Sequence, residues 1–259
     1  MGIKPLLKYL QRFDVKLRRS MSLLLLRIFP YRLVIWLMDI DPFLRHNEVA
    51  KEIKKIPSDD ISILDVGGRV NSLAPFLPKV NRPRLTTLNY NFSDLKSSEK
   101  ADNDVVQGDG ASLPFRDNQF DIVTSITVLE HVPREYREAH LRELFRVAKV
   151  KLLIYIPLEP DGIEYEKKLY GLSLNDHIRY MTKQHIDNGL PTVEEIRGCF
   201  PDCRIRYTQN ARVWLTYMVL KQIPFIGIIF PRIIYEVFLR FINNSPPFYE
   251  ALFIIDKRS

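Results

Sequence analysis

Asp65, Gly67 and Gly68 close a short apolar run, Ile61 to Val66, in a chain of 259 residues. An acidic side chain followed by two glycines suits a tight loop leaving a buried strand. Glycine there lets the backbone approach a ligand with no Cβ in the way. Asp109, Gly110 and Ala111 follow a second brief run, Asp104 to Gln107, and Ser125 lies near the end of a third, Phe120 to Ile126. Ligands of open α/β sheets gather at the carboxyl ends of the strands, where the strand order reverses. Asn89 lies near the end of the alternating segment Arg84 to Tyr90 (RLTTLNY). Its amide can accept from one hydroxyl and donate to another, without the charge-assisted strength of a carboxylate.

Three histidines are candidates for proton transfer. His131 lies in V-L-E-H-V-P just before Pro133, where packing near a helix start is the competing role. His177 lies in D-H-I-R-Y-M-T, directly after Asp176. Neighbours on a helix point apart, so those two are not expected to form a dyad. His185 follows Gln184 rather than a carboxylate, and is expected to face solvent ahead of the Gly189 turn. Cys199 and Cys203 form a single C-x3-C with no second pair and no nearby histidine. That spacing supports neither a disulfide framework nor a metal site, and free thiols fit a reducing cytoplasm.

The elements that must position these residues alternate between strand and helix. Strands are expected at Ile61–Val66, Arg84–Tyr90, Asp104–Gln107, Phe120–Ile126 and Val150–Ile156, with later ones at Arg204–Tyr207 and Tyr249–Ile255. Ser72–Leu77 reads as one short helix. Pro133 opens a longer helix, since its missing N–H costs nothing there. Leu141, Leu144, Phe145 and Ala148 share a face toward its end, and Glu138 lies four before Arg142. Thr192 with Glu195 reads as a capping box. Connections of a dozen residues or more between strands call for a parallel sheet covered on both faces.

The stretch Ile63 to Val132 holds I-L-D-V-G-G, then G-D-G-A-S-L-P-F-R-D-N-Q-F-D-I-V, then V-L-E-H-V-P, in that order. It resembles the class I S-adenosylmethionine-dependent methyltransferases that act on small molecules, lipids and sugars. The resemblance implies a Rossmann-like α/β fold: a seven-stranded, mostly parallel sheet with helices on both faces. To this it adds an N-terminal helical region and helical insertions. It implies S-adenosylmethionine as cofactor, with Asp65, Gly67 and Gly68 around its amino-acid end, and Asn89 where the family places a ribose-binding Asp or Glu. Asp109, Gly110 and Ala111 would meet the adenine, and Ser125 with Ile126 the region of the sulfonium. His131 and His177 would then serve the acceptor side. The D-H-I-R-Y-M-T run resembles a stretch of members acting in surface-glycan assembly. Arg69 and Asn71 stand where the family usually has further glycines, and Arg suits a left-handed backbone poorly.

Charge is unevenly placed. Residues 1–32 carry eight of the 38 basic residues and one of the 31 acidic ones, so the rest of the chain balances at thirty of each. Leucines interleave with those cations, as in a helix lying on an anionic membrane surface. A second apolar stretch, 213–242, is broken by two prolines and by charges, which suits a surface-lying hairpin or buried helices better than a spanning helix. Three regions are expected: a basic amphipathic one at 1–56, a cofactor-binding core at 57–158, and an acceptor-side remainder at 159–259. The composite expectation is a cytoplasmic methyltransferase, peripheral on the inner face of the membrane. It would methylate a hydroxyl of a sugar or lipid-linked glycan, or failing that a lipid or quinone. A non-catalytic binding or scaffold protein on the same fold is the alternative. Nucleic acid is disfavoured as a partner, because the basic residues sit among leucines rather than with exposed aromatics.

Overall fold

The computed structural model describes residues 39–57, 60–69, 72–78, 83–91, 104–223 and 233–257. The basic segment 1–32, Asn71 and residues 224–232 of the second apolar stretch lie outside the described residues.

Seven strands form one sheet in the order β3-β2-β1-β4-β5-β7-β6. They are β1 (Ser62–Val66), β2 (Arg84–Asn89), β3 (Asp104–Gln107), β4 (Phe120–Ile126), β5 (Ala148–Pro157), β6 (Arg204–Asn210) and β7 (Phe248–Asp256). The pairings from β3 through β5 are all parallel. Strand order reverses between β1 and β4, which are neighbours although two strands separate them in sequence. This is the topological switch point at which such sheets bind ligands. The Rossmann-like fold expected from the sequence is therefore present. The expected strands differ only at their ends, most at β6, which continues to Asn210 rather than stopping at Tyr207.

Six helices are described: α1 (Ile40–Ile53), α2 (Arg134–Val147), α3 (Asp161–Leu172), α4 (Asp176–Asn188), α5 (Val193–Cys199) and α6 (Ala211–Leu220). The expected Ser72–Leu77 helix is a single 3₁₀ turn, Ala74–Phe76.

The chain divides into two compact units. The larger takes in residues 44–159, 188–207 and 251–259. Its core alternates along each strand, as a period of two requires. Leu64, Val66, Val123, Leu152 and Ile154 pack with Leu141 and Leu144 of α2. Ile63, Ile122, Leu153 and Tyr155 pack with Val49 and Ile53 of α1. Both faces of the central strands are thus buried, and these strands read as continuous apolar runs for that reason. Thr192 caps α5 in the expected box, accepting from the Glu195 amide while Glu195 accepts from the Thr192 amide. Buried Arg137 donates to the carbonyls of Val132, Asn188 and Gly189 and pairs with Glu195, which ties the start of α2 to that cap.

The smaller unit takes in residues up to Phe43, 160–187 and 208–250. Leu169, Ala211, Trp214 and Tyr249 form its core, with Trp214 stacked on Tyr249 at 3.7 Å between ring centroids. Asn210 caps α6 through its side-chain oxygen. Among the described residues no helix is long and apolar enough to cross a membrane.

Candidate functional site

β1 ends with Asp65 and Val66, and its register sets Asp65 beside Thr87 of β2 and Thr124 of β4. Asp65 is almost fully buried, and its Oδ1 accepts from the Thr124 hydroxyl at 2.7 Å. Burial dominates and pushes the Asp65 carboxyl up to about 7, against the lowering effect of the Thr124 hydrogen bond. A carboxylate with so little compensation is a costly group to keep, unless a cation can neutralise it.

The loop that follows is shaped around this carboxyl. Gly67 has φ +78° and donates its amide to the Leu88 carbonyl at 2.7 Å. A Cβ at Gly67 would lie 2.4 Å from Val128, and one at Gly68 would lie 2.0 Å from Asp65 Oδ2. The left-handed backbone favours glycine at Gly67, and a Cβ at Gly68 would displace the Asp65 carboxyl. Arg69 is exposed and does not appear among the non-glycine residues with positive φ. The sequence departure there is absorbed without left-handed strain.

Asn89, expected to face a ribose, has its side chain committed to the same loop. Its Nδ2 donates to the carbonyls of Gly67 at 3.2 Å and Gly68 at 3.0 Å, while Oδ1 accepts from the Asn91 amide. A carboxylate in this place would oppose two carbonyl oxygens. The amide is thus a consequence of how the loop is braced.

Asp109 follows β3 and is exposed. Its Oδ1 accepts from the Ala111 amide at 2.9 Å, and its carbonyl accepts from Ser112, so Asp109–Ser112 is a closed turn. Gly110 packs against His140 of α2, where a Cβ would meet the imidazole at 2.3 Å. Burial lowers the His140 pKa to about 4, Asp109 acting weakly the other way, so the ring is neutral at pH 7. His140 was not singled out in the sequence, because nothing thirty residues earlier marks it as the floor of this turn.

Ser125 is buried beside Val66, and its hydroxyl has no hydrogen-bond partner among the described residues. Thr127, just beyond β4, has φ +53°, a conformation a β-branched residue rarely adopts. Such strain tends to persist where a site is over-determined. His131 closes the 3₁₀ turn Leu129–His131 in the same stretch.

These residues of the larger unit converge on the carboxyl ends of β1 to β4. His177 belongs to the smaller unit, in the first turn of α4, where its amide and that of Ile178 are capped by Asn175 Oδ1. His185 departs from the sequence reading. It is largely buried, and its Nδ1 lies 2.7 Å from Glu166 Oε1, which also accepts from the Tyr249 hydroxyl. Helix periodicity showed only what precedes His185, not the carboxylate that α3 supplies.

Residues 64–156 match a family described as "Methyltransferase domain". That stretch, from β1 to β5, carries the methyltransferase likeness. Over 153 residues the chain is 30% identical to a ubiquinone/menaquinone biosynthesis C-methyltransferase from Ruegeria sp.. That match takes in 54% of this chain and spans 60% of the relative's length. Among solved structures, a SAM-dependent methyltransferase from Archaeoglobus fulgidus is similar at a TM-score of 0.55 and 14% identity, covering 84% of this chain and 95% of that one. Magnesium protoporphyrin IX methyltransferase from Synechocystis PCC 6803, crystallised with bound SAH, is similar at 0.50 and 14%, covering 84% and 86%. At such identities the methyltransferase likeness speaks for the fold. The matched family region contains Asp65, the glycine loop, Asn89, the Asp109 turn, Ser125 and His131.

Proposed function

We propose that this chain is an S-adenosylmethionine-dependent methyltransferase. The observation that carries the reading is the buried Asp65 carboxyl, raised to about 7 and set against Gly68 at the switch point of the sheet. When bound, the cofactor would supply an electrophilic methyl group on a permanently cationic sulfur. The protonated amino group at its amino-acid end would give Asp65 a cationic partner. A cation there favours the carboxylate form and offsets the desolvation that raises the pKa.

The remaining residues divide the work. Gly67 and Gly68 let the backbone close around the amino-acid end. Asn89 fixes that loop and would lie on the ribose side of the cofactor. Asp109 offers an exposed carboxylate to the adenine amino group, with Gly110 and Ala111 as backbone beside the ring. Ser125 presents an unpartnered hydroxyl close to the β1 strand end. In-line displacement gains most of its rate from alignment, so these contacts bear on catalysis as well as on affinity.

For the acceptor, the relative that acts in ubiquinone and menaquinone biosynthesis supports a quinone- or lipid-class molecule methylated at carbon. The alternative is a sugar hydroxyl on a lipid-linked glycan, motivated by D-H-I-R-Y-M-T at Asp176–Thr182. His131 and His177 are the acceptor-side candidates, and a hydroxyl acceptor would draw on one of them as base. Calorimetric titration with S-adenosylmethionine tests the first step. Saturable binding lost in Gly68→Ala supports the enzyme, and no heat at millimolar cofactor would leave a non-catalytic protein on this fold. Turnover with a demethylated quinol against a lipid-linked glycan then separates the acceptors.

A further inference from the structure

Three polar side chains of α2, His140, Glu143 and Arg146, stand at intervals of three and all meet the segment 109–117. Such spacing places them on one face of the helix. Glu143 Oε2 accepts from the Leu113 amide at 2.8 Å. Arg146 donates to the carbonyls of Phe115 at 2.8 Å and Leu113 at 3.0 Å, and pairs with Asp117 at 2.8 Å. Glu143 and Arg146 also hold each other at 2.7 Å. The far end of the segment is therefore pinned to α2 by charged hydrogen bonds.

Its near end, the Asp109–Ser112 turn, meets α2 by shape. A Cβ added to Gly110 would lie 2.3 Å from His140 Cε1 and 2.5 Å from Nδ1, so the backbone of the turn rests against the imidazole. Histidine is a costly residue for a spacer. It is 3% exposed, and its Nε2 has no hydrogen-bond partner among the described residues. A buried nitrogen left unpaired is a penalty that an apolar side chain would avoid. The Asp109 carboxylate is close enough to act on the ring electrostatically, although burial keeps the ring neutral. One side chain thus bears on both groups that the turn offers to a nucleoside.

We infer that His140 is a positioning residue for adenine recognition: its ring sets the height of the Gly110 backbone and so the aim of Asp109. This rests on the methyltransferase reading of the site. His140 acts through the turn rather than by touching the ligand. Asp109 Oδ1 accepts from the Ala111 amide, so the carboxylate moves with the turn as one piece. Without the ring the turn can settle toward Val66, whose Cγ1 would lie 3.5 Å from the same added Cβ. Hydrogen bonds weaken steeply with misalignment, so the contact to the purine amino group suffers first.

The test is titration of the full chain with S-adenosylhomocysteine and with S-inosylhomocysteine, in which a carbonyl replaces the purine amino group. The wild type is expected to prefer the adenine ligand by at least about tenfold, the scale of a hydrogen bond to a charged acceptor. His140→Ala is expected to cut that preference to about threefold or less, because the bond to Asp109 is lost while other contacts remain. Gly110→Ala lifts the turn off an intact ring and should do the same, which supplies a second reading should His140→Ala fold poorly. In the double variant the two losses should not add, since both act on one contact. Wild-type preference in either single variant overturns the proposal. So do additive losses, or a loss that falls equally on both ligands. A wild type that binds both ligands alike also overturns it and leaves the methyltransferase reading standing, whereas one that binds neither removes both.

Discussion

Two buried carboxyls, Asp65 of the larger unit and Glu166 of the smaller, are met in different ways. In the larger unit, some polar groups near the strand ends are left open. The Asp65 carboxyl has one side-chain donor, and the hydroxyls of Thr87 and Ser125 have no partner among the described residues. In the smaller unit, several buried polar groups meet partners from other segments of that unit. Glu166 accepts from Tyr249 and meets His185. Gln209 donates to Asp41, and Gln222 Oε1 accepts from the Ser173 hydroxyl and from the amides of Leu174 and Asn175. Desolvated polar groups are costly unless paired. Open groups at the switch point are ones a ligand could pair, whereas Glu166 already joins α3, α4 and β7.

The contrast breaks most sharply at Asp65. Its carboxyl is raised from 3.8 to about 7, so the folded state holds a proton that the unfolded state releases between those values. Stability of the ligand-free protein therefore falls as pH rises through that window. Asp65→Asn removes the charged form, and at pH 8 it is expected to stabilise the free protein by up to about 4 kcal/mol, three pKa units being the upper bound. The same change should abolish cofactor binding. Denaturant unfolding at pH 5 and pH 8 checks the sign, because at pH 5 the gain should shrink to about 1.6 kcal/mol, from the 1.2 pH units between pH 5 and the unfolded value of 3.8.

Glu166→Ala should act the other way. Tyr249 and His185 would each lose a buried acceptor, and the protein is expected to lose about 3 kcal/mol in the same experiment. Cofactor affinity should hardly move in the fraction that stays folded. A smaller effect belongs to Asn89→Ala, which frees the Gly67 and Gly68 carbonyls. About 1–2 kcal/mol of cofactor affinity should go, with little change in unfolding. Smallest is Arg142→Ala, which breaks an exposed pair with Glu138 and should leave both measurements unchanged.

How much of this was legible follows from the range of the interactions. The Asp109 turn and the Thr192–Glu195 cap each work over a few residues and could be read from local sequence. Asp65 and Gly67–Gly68 could be read from their order at a strand end, although Thr124, Leu88 and Val128 lie far along the chain. The strand set was legible because central parallel strands are apolar throughout. Asn89 was read by its place at a strand end, yet its partners lie more than twenty residues away, and only the fold shows that it braces the loop. His140 beneath Gly110 and Glu166 beside His185 were hidden for the same reason: each contact joins separate elements.

The central claim is that the Asp65 cradle binds a cationic cofactor, and titration calorimetry of the wild-type chain with S-adenosylmethionine at pH 7 and pH 5 tests it most directly. Over that range the sulfonium is permanently charged and the ligand's amino group is mostly protonated, so the change reports chiefly on the protein. Neutral His140, with its pKa near 4, stays largely silent. Saturable binding at pH 7 that weakens by at least about tenfold at pH 5 is the expected result, because Asp65 must ionise to bind. Absence of binding at millimolar cofactor, or an affinity that Asp65→Asn leaves intact, would contradict it.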